Sequence, residues 1–186
     1  MTPADVFRVL EGAAGPDRDF CVIGAFARNA WAPPRATTDL DFCVAPAAAF
    51  LASAQSALDS LGLSPTRIQR ADPSDPLPDL IIFRAARDGG FRQVDFLVAK
   101  TDFELEVLRR ALPIEISGRT VPVATPEDLL VYKLIADRLR DRDDTEAIAR
   151  TQARYGRDLD WPYVERWCEE WGIRARLDVL RTRLGI

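Results

Sequence analysis

The chain has 186 residues, 47% of them apolar and 29% charged, which is typical of one soluble globular domain. Its net charge of −4 argues against a nucleic-acid coat protein. The longest apolar stretch, residues 44–54, contains a proline and is about half as long as a membrane span. The N-terminus has neither the basic residues nor the apolar stretch of a secretory signal. Together these features predict a cytoplasmic protein without a membrane segment or secretory signal.

The sequence contains no histidine, and this excludes several kinds of catalytic site. Nucleophiles that depend on an imidazole base, and zinc held by histidine, both need the missing residue. Catalysis must therefore use carboxylates, hydroxyls, arginines, lysines or a hard metal ion. Cys21, Cys43 and Cys168 lack the number and spacing of a disulfide framework, so we expect small core residues in a reducing compartment.

Helix and strand patterns alternate in the first half of the chain. The predicted elements are a helix opened by Thr2-Pro3, a strand over 20–23, a helix over 24–31, a strand over 38–44 and a helix over 46–61. The four prolines of residues 65–78 predict that this segment is mostly loop. A hairpin follows, with strands over 80–84 and 91–99 joined through Asp88-Gly89-Gly90.

The second half begins with one helix and one hairpin and continues with helices alone. Asp102 is predicted to cap the helix, and Ser117-Gly118-Arg119 to turn the hairpin between residues 114–116 and 121–123. Thr125-Pro126 opens a helix that is predicted to reach Arg142 or beyond. Together the elements predict an α+β fold: a mixed sheet with helices over 1–124, and a helical part over 125–186 packed on it as one compact unit.

Three acidic residues carry most of the chemical information. Asp39 and Asp41 are two residues apart on a predicted strand, so both carboxylates project from one face. Asp95 interrupts another strand that is otherwise apolar, and the three carboxylates converge if the two strands are neighbours. Such hard oxygen donors favour Mg²⁺ or Mn²⁺ over zinc. The alternative for Asp39 and Asp41 is the solvated face of an edge strand.

A glycine at the start of the second helix adds an anion site to this pattern. Gly24 lies between a strand and a helix, where the missing side chain lets a ligand approach the backbone. The free N–H groups of a first helical turn bind phosphate. Metal-binding carboxylates beside such a site favour phosphoryl or nucleotidyl transfer.

These residues resemble the signature of the DNA polymerase β-type nucleotidyltransferase superfamily, in which Gly-Gly or Gly-Ser precedes an Asp-x-Asp motif. The matching segments are Gly24-Ala25-Phe26-Ala27, Arg35-Ala36-Thr37-Thr38-Asp39-Leu40-Asp41, Asp95, and Thr125-Pro126-Glu127-Asp128-Leu129-Leu130 leading to Lys133. They are similar to those of small bacterial nucleotidyltransferases, including AbiEii-type toxins, over about residues 20–145. The resemblance implies the nucleotidyltransferase fold.

The resemblance also implies an activity: Mg²⁺- or Mn²⁺-dependent transfer of a nucleoside monophosphate from an NTP, such as ATP, to a hydroxyl acceptor, with release of pyrophosphate. The metal-binding and catalytic residues that it implies are Asp39, Asp41 and Asp95. The nucleotide-binding residues that it implies are Gly24, Ala25, Arg35, Thr38 and Lys133. An RNA end, a protein hydroxyl and a small molecule stay open as acceptors, and a toxin-like member would have a cognate antitoxin as partner.

Ala25 departs from the family pattern, because a glycine or serine is usual there. Only the backbone N–H is left to contact phosphate, so an inactive nucleotide-binding module is the first alternative. A glycosyltransferase with an Asp-x-Asp metal site is the second, although Gly24 and a third acid are not natural parts of one. For Lys133 the alternative is a solvated helix face, since Asp137, Arg140 and Asp144 follow it at helical steps.

Overall fold

The computed structural model describes residues 1–15, 19–70, 77–85 and 93–186. Its helices are α1 (Pro3–Ala13), α2 (Gly24–Trp31), α3 (Ala48–Ser60), α4 (Asp102–Arg110), α5 (Pro126–Ala136), α6 (Leu139–Arg154), α7 (Trp161–Glu170) and α8 (Arg174–Leu184). Its strands are β1 (Phe20–Ile23), β2 (Asp39–Val44), β3 (Leu63–Gln69), β4 (Asp79–Ala85), β5 (Gln93–Val98), β6 (Leu112–Ile116) and β7 (Arg119–Val123). Among these helices, none has the length and apolar character that a membrane crossing needs.

The strands form a mixed sheet in the order β3-β4-β5-β2-β1-β7-β6. β2 pairs parallel with β5 and antiparallel with β1, and β1 pairs parallel with β7. The predicted α+β fold with a mixed sheet is therefore confirmed. The strand of Asp39 and Asp41 is also the neighbour of the strand of Asp95, as convergence of the three carboxylates requires.

Contacts between residues divide the chain into two compact units. The first comprises residues 1–26 and 36–124, and it contains the sheet with α1, α3 and α4. The second comprises residues 27–35 and 125–186, and it contains α5 to α8. The first residues of α2 belong to the first unit and its remainder to the second.

The core of the first unit explains why β2 has one polar face. Leu40 and Phe42 are fully buried, and the Phe42 ring packs edge-on against Phe7 and Phe96, with ring centroids 6.1 and 5.9 Å away. Alternate residues of a strand point to opposite faces, so the neighbouring aspartates project away from these rings.

The three cysteines are buried and form no disulfide, as predicted.

The prolines of residues 65–78 predict a segment that is mostly loop, but the structure has a strand in its first part. β3 lies at the edge of the sheet, pairs antiparallel with β4 and contains Pro65. An edge strand tolerates proline because one side of its backbone needs no partner, and the register shifts between Pro65 and Arg67. Residues 71–76, and residues 86–92 with the predicted Asp88-Gly89-Gly90 turn, lie outside the part of the chain that the structure describes.

The single helix predicted from Thr125 to Arg142 or beyond is wrong, because the structure has two helices there. α5 ends at Ala136, and Asp137 follows in the left-handed region with φ of 45° while its N–H donates to the carbonyl of Lys133. Lys133 and Asp144 therefore belong to different helices. At α4, Thr101 is the N-cap and Asp102 is the first helical residue, one position from the prediction.

Candidate functional site

Three carboxylates lie on one face of the sheet, on the adjacent strands β2 and β5. Parallel pairing sets Asp41 beside Asp95 and Asp39 beside Gln93. Register partners share a face, as do alternate residues of one strand, so all four side chains project to the same side. The three aspartates are half-buried.

The environment of Asp95 disfavours its negative charge. Burial raises the pKa of this carboxyl above its ordinary value of 3.8, and the nearby Asp39 carboxylate raises the pKa too. A hydrogen bond from Gln93 and the charge of Arg84 act in the opposite direction without outweighing burial. A carboxylate whose pKa is raised by burial and a like charge gains stability when a cation comes near.

Gln93 holds the Asp95 carboxylate in place from the same strand. Its amide nitrogen Nε2 donates to both carboxylate oxygens, at 2.9 and 3.0 Å. Its amide oxygen accepts a hydrogen bond from Arg84 Nε at 3.0 Å, which fixes the orientation of the amide because only the oxygen can accept. Gln93 is therefore a positioning residue. The sequence motif does not point to Gln93, and its only sequence signal is the two-residue spacing from Asp95.

Replacement of Gln93 by leucine is expected to raise the pKa of Asp95 further, because the carboxylate loses two hydrogen bonds that favour its charged form. A carboxyl-carbon NMR titration of Asp95 measures the change. Gln69→Leu, at an exposed glutamine of the edge strand β3, is the matched control and should leave the Asp95 titration unchanged. Equal titration curves for wild type and Gln93→Leu would contradict the positioning role.

Gly24 lies directly against the Asp41 carboxylate. The antiparallel pairing of β1 and β2 sets Ile23 beside Asp41, and Gly24 follows with φ of 63° in the left-handed region. A Cβ on Gly24 would lie 1.9 Å from Oδ2 and 2.5 Å from Cγ of Asp41. Glycine is required here for two reasons, its backbone conformation and the space that the carboxylate fills.

The remaining predicted residues of the first unit, Ala25 and Thr38, adjoin Gly24 and Asp39 in the chain. Ala25 lies in the first turn of α2, which contains no acidic residue, so the positive end of the helix dipole favours an anion. The Thr38 hydroxyl donates to Asp39 Oδ1 at 3.1 Å and can thereby fix the orientation of that carboxylate. The start of α2, with its free backbone N–H groups, and the three carboxylates therefore belong to the same unit.

The fit to a metal ion rests on the chemistry of the donors. Within the described ranges, no group of three or more cysteine, aspartate or glutamate side chains is arranged to hold a metal ion. Asp39, Asp41 and Asp95 nevertheless share a face, supply only oxygen donors, and include a carboxyl whose pKa burial and a neighbouring acid raise. These properties suit a hard divalent cation such as Mg²⁺ or Mn²⁺.

Arg35 and Lys133 belong to a cluster of charged residues in the second unit. Asp144, only 3% exposed, accepts hydrogen bonds from Lys133 Nζ at 2.7 Å and from Arg35 Nη2 at 2.9 Å, and Arg28 Nε lies 2.9 Å from the same carboxylate. Burial by itself raises the pKa of Asp144, but the hydrogen bonds from Arg35 and Lys133 outweigh it and hold the pKa at about 2.

Asp141 extends this cluster and leaves it with a surplus of positive charge. Its buried carboxylate lies 3.2 Å from Lys133 Nζ and 2.5 Å from Arg138 Nε. The cluster thus holds four cations, Arg28, Arg35, Lys133 and Arg138, against two carboxylates, a net charge of +2. The alternative of a solvated helix face for Lys133 is wrong, because this residue is 7% exposed. Nucleotide binding by Lys133 and Arg35 stays a prediction.

Comparison with known proteins identifies the fold but no family. No family model matches the chain, and no curated protein matches its sequence. The solution structure of the antibiotic-resistance factor ANT(2'')-Ia is similar, with a TM-score of 0.56 and 17% identity over 97% of this chain and 95% of that chain. The crystal structure of ANT(2'')-Ia in complex with adenylyl-2''-tobramycin has the same TM-score and identity over 98% of this chain and 99% of that chain.

A third similar structure comes from another protein. It is a crystal structure from H. pylori of a protein named as a candidate nucleotidyltransferase, with a TM-score of 0.53 and 16% identity over 97% of this chain and 84% of that chain. At such low identity the likeness establishes the fold alone, and one fold can support unrelated functions. The nucleotidyltransferase fold predicted from the sequence motifs is therefore confirmed.

Proposed function

We propose that this protein is a metal-dependent nucleotidyltransferase of the DNA polymerase β-type superfamily. It transfers a nucleoside monophosphate from an NTP to a hydroxyl acceptor and releases pyrophosphate. The observation that carries the proposal is the carboxylate face, where Asp39, Asp41 and Asp95 project together from adjacent strands and Gly24 leaves room for the Asp41 carboxylate. The nucleotidyltransferase fold of the chain supports it.

The proposed reaction is an in-line displacement at the α-phosphorus. The acceptor oxygen forms a bond to this phosphorus, and the bond from the phosphorus to the bridging oxygen of pyrophosphate breaks. Mg²⁺ or Mn²⁺, held by Asp39, Asp41 and Asp95, would neutralise phosphate charge and make the hydroxyl more acidic. Asp95 would take the hydroxyl proton, and its raised pKa makes it a better base than an ordinary aspartate.

The anion-binding side of the proposed site is the start of α2. The backbone N–H groups of Gly24 and Ala25 would donate to phosphate oxygens, and the dipole of α2 favours this contact. Thr38 would act indirectly by orienting the Asp39 carboxylate. Arg35 and Lys133 are candidates for phosphate binding on the basis of charge, because their cluster carries a net charge of +2.

The acceptor is proposed by class. ANT(2'')-Ia is an antibiotic-resistance factor, and one of its structures contains adenylyl-2''-tobramycin. We therefore propose ATP as the first donor to test and include the hydroxyl of a small molecule, with an RNA end and a protein hydroxyl, among the acceptors. A toxin-like role with an antitoxin partner is a further proposal, and slowed bacterial growth on expression is its expected sign.

Asp39→Asn is expected to reduce nucleotidyl transfer by about a thousandfold or more, because an amide supplies one oxygen without the charge that holds a metal ion. The assay incubates α-labelled NTPs with Mg²⁺ and a panel of acceptors and measures the labelled product. Asp59→Asn, at an exposed aspartate of α3, is the matched control and should retain wild-type transfer. Equal transfer by wild type and Asp39→Asn would refute the proposed role of the carboxylate face.

A second candidate function is an inactive module that binds a nucleotide without transferring it. Ala25 favours this candidate, because a contact to phosphate from a side-chain hydroxyl is missing. Saturable ATP binding with no product on any acceptor would select it over the enzyme. The glycosyltransferase alternative predicts instead that a UDP-sugar stabilises the protein more than an NTP does in a thermal-shift measurement.

A further inference from the structure

The helices of the second unit line a cavity of about 240 Å³ between α5, α6 and α8, and this cavity is open to solvent on one side. Its apolar wall is formed by Leu134, Ala175, Val179 and Leu180. The volume exceeds the roughly 150 Å³ of a cavity that holds benzene, and it is below the roughly 300 Å³ that begins to suit a drug-sized ligand. One substituted six-membered ring matches this size.

The charged residues that line the cavity include more cations than acids. They are Lys133, Arg142, Arg176, Arg183, Asp137 and Asp141. The acids are already paired, since Arg142 Nε donates to the Asp137 carboxylate at 2.9 Å and Lys133 Nζ to that of Asp141 at 3.2 Å. Four cations and two acids give this lining a net charge of +2.

Arg183 is the cation whose charge is available to a ligand. Arg142 is bound to Asp137, while Arg176 Nη1 donates to the carbonyl oxygens of Leu134 and Ile135 at 2.7 and 2.8 Å. The structure gives the exposed side chain of Arg183 no ion pair or hydrogen bond within the ranges that it describes. A guanidinium with free donors at the edge of an apolar cavity suits a carboxylate or phosphate.

We propose that this cavity binds a small molecule with one carboxylate or phosphate group on an apolar body of about one ring. Arg183 would donate to the anionic group, and Leu134, Val179 and Leu180 would cover the apolar body. The site is additional to the proposed transfer activity. It lies within the second unit and uses none of the carboxylates of the first. Lys133, a candidate for phosphate binding in the proposed transfer, also lines the cavity, but the proposed contacts to this ligand come from Arg183 and the apolar wall.

The same features distinguish this ligand from the proposed donor and from one class of acceptor. An aminoglycoside carries several positive charges, which the net charge of +2 would repel. A nucleoside triphosphate is too large for a cavity of about 240 Å³ to enclose. The size and charge of the cavity therefore favour a small ligand with one anionic group.

The test measures binding by the full chain, without nucleotide or metal, by saturation-transfer NMR titration. The probes are benzoate and phenyl phosphate, compared with benzylamine and benzyl alcohol, which are similar in size but cationic or neutral. At least one anion is expected to bind ten times more tightly than benzylamine or benzyl alcohol. Comparing benzoate with phenyl phosphate identifies the preferred group.

Two substitutions locate the binding. Arg183→Glu reverses the charge offered to the ligand, and Val179→Glu adds a negative charge at a position that is 54% exposed and therefore tolerates it. Each is expected to weaken anion binding at least tenfold. Arg140→Glu makes the same charge change at an exposed arginine of α6 outside the cavity and should leave binding unchanged. Unaltered thermal midpoints would confirm that all three variants are folded.

Three results would overturn the proposal. They are benzylamine binding as tightly as the anions, an Arg140→Glu effect as large as that of Arg183→Glu, and no binding of either anion at millimolar concentration. Since the assay contains no NTP, absence of transfer activity leaves its result unaffected. Conversely, failure of this proposal leaves the carboxylate face of the first unit in place.

Discussion

Asp144→Asn is expected to lower the free energy of unfolding by about 3 kcal/mol. Asparagine keeps the size of the side chain but removes the negative charge that Lys133, Arg35 and Arg28 share. Lys133 and Arg28 are 7% and 6% exposed, so they cannot regain water without local unfolding. Removing one partner of a buried ion pair therefore destabilises the fold, because the other charge stays buried without compensation. Urea denaturation measures the loss.

Asp143→Asn is the matched control for this change, because Asp143 precedes Asp144 on α6 and is exposed. The control should change the free energy of unfolding by less than about 0.5 kcal/mol. A loss in Asp144→Asn no greater than that of the control would contradict a stabilising role for the cluster.

The pH dependence of the same pair of proteins provides a second measurement. The pKa of Asp144 is about 2 in the folded chain and 3.8 ordinarily, so its contribution is complete well above 3.8 and is lost as the pH falls toward 2. This pKa difference corresponds to about 2 kcal/mol, and the hydrogen bonds that a neutral amide cannot replace account for the remainder. The advantage of wild type over Asp144→Asn should shrink by about 1 kcal/mol between pH 7 and pH 3.

Local signals in the sequence predict the two elements that meet at Gly24. β1 and α2 have the predicted bounds, 20–23 and 24–31, because an apolar run, Gly24 and a pair of prolines mark their ends within a few residues. β3 is missed because its strand conformation depends on pairing with β4, and its own residues include Pro65. Position in the sheet does not decide the outcome, because the other edge strand, β6, is predicted from the Ser117-Gly118-Arg119 turn signal that marks its end.

In the candidate site, some residues are found from a local sequence motif, and the roles of others depend on elements that are distant in the chain. Asp39, Asp41 and Gly24 follow from a motif, and two-residue spacing alone predicts that the two carboxylates share a face. Gln93 acquires its role only because the β4–β5 register sets Arg84 beside it, and no short pattern fixes that register. Lys133 cannot be located from periodicity either, since the left-handed conformation of Asp137 ends α5 within a segment whose pattern suits a continuous helix.

Gly24→Ala is expected to reduce nucleotidyl transfer by about a hundredfold to a thousandfold, and this expectation depends on the proposed function. The new Cβ would lie 1.9 Å from Oδ2 of Asp41, so the carboxylate must leave the position that it has beside Gly24. The φ of 63° adds about 1–2 kcal/mol of backbone strain for any residue with a Cβ. Transfer kinetics and urea denaturation measure the two effects separately.

Gly62→Ala separates strain from displacement of the carboxylate. Gly62 has φ of 78°, and a Cβ there would meet nothing within 4 Å, so alanine at this position adds strain without a steric clash. We expect the backbone strain in Gly62→Ala to lower the free energy of unfolding by a similar amount, while nucleotidyl transfer is retained. If both variants lost transfer equally, the activity of Gly24→Ala would report general destabilisation and give no information on Asp41.

A double-mutant cycle then tests whether Gly24 acts through Asp41. In the Asp41→Asn background the charge needed for transfer is already missing, so displacing that side chain by Gly24→Ala should cost little more activity. The two single losses are therefore expected to be strongly non-additive. Additive losses would mean that Gly24 contributes by a separate route, such as the approach of phosphate to the backbone at the start of α2. Both results assign Gly24 a physical role, but only non-additive losses show that this role depends on the Asp41 carboxylate.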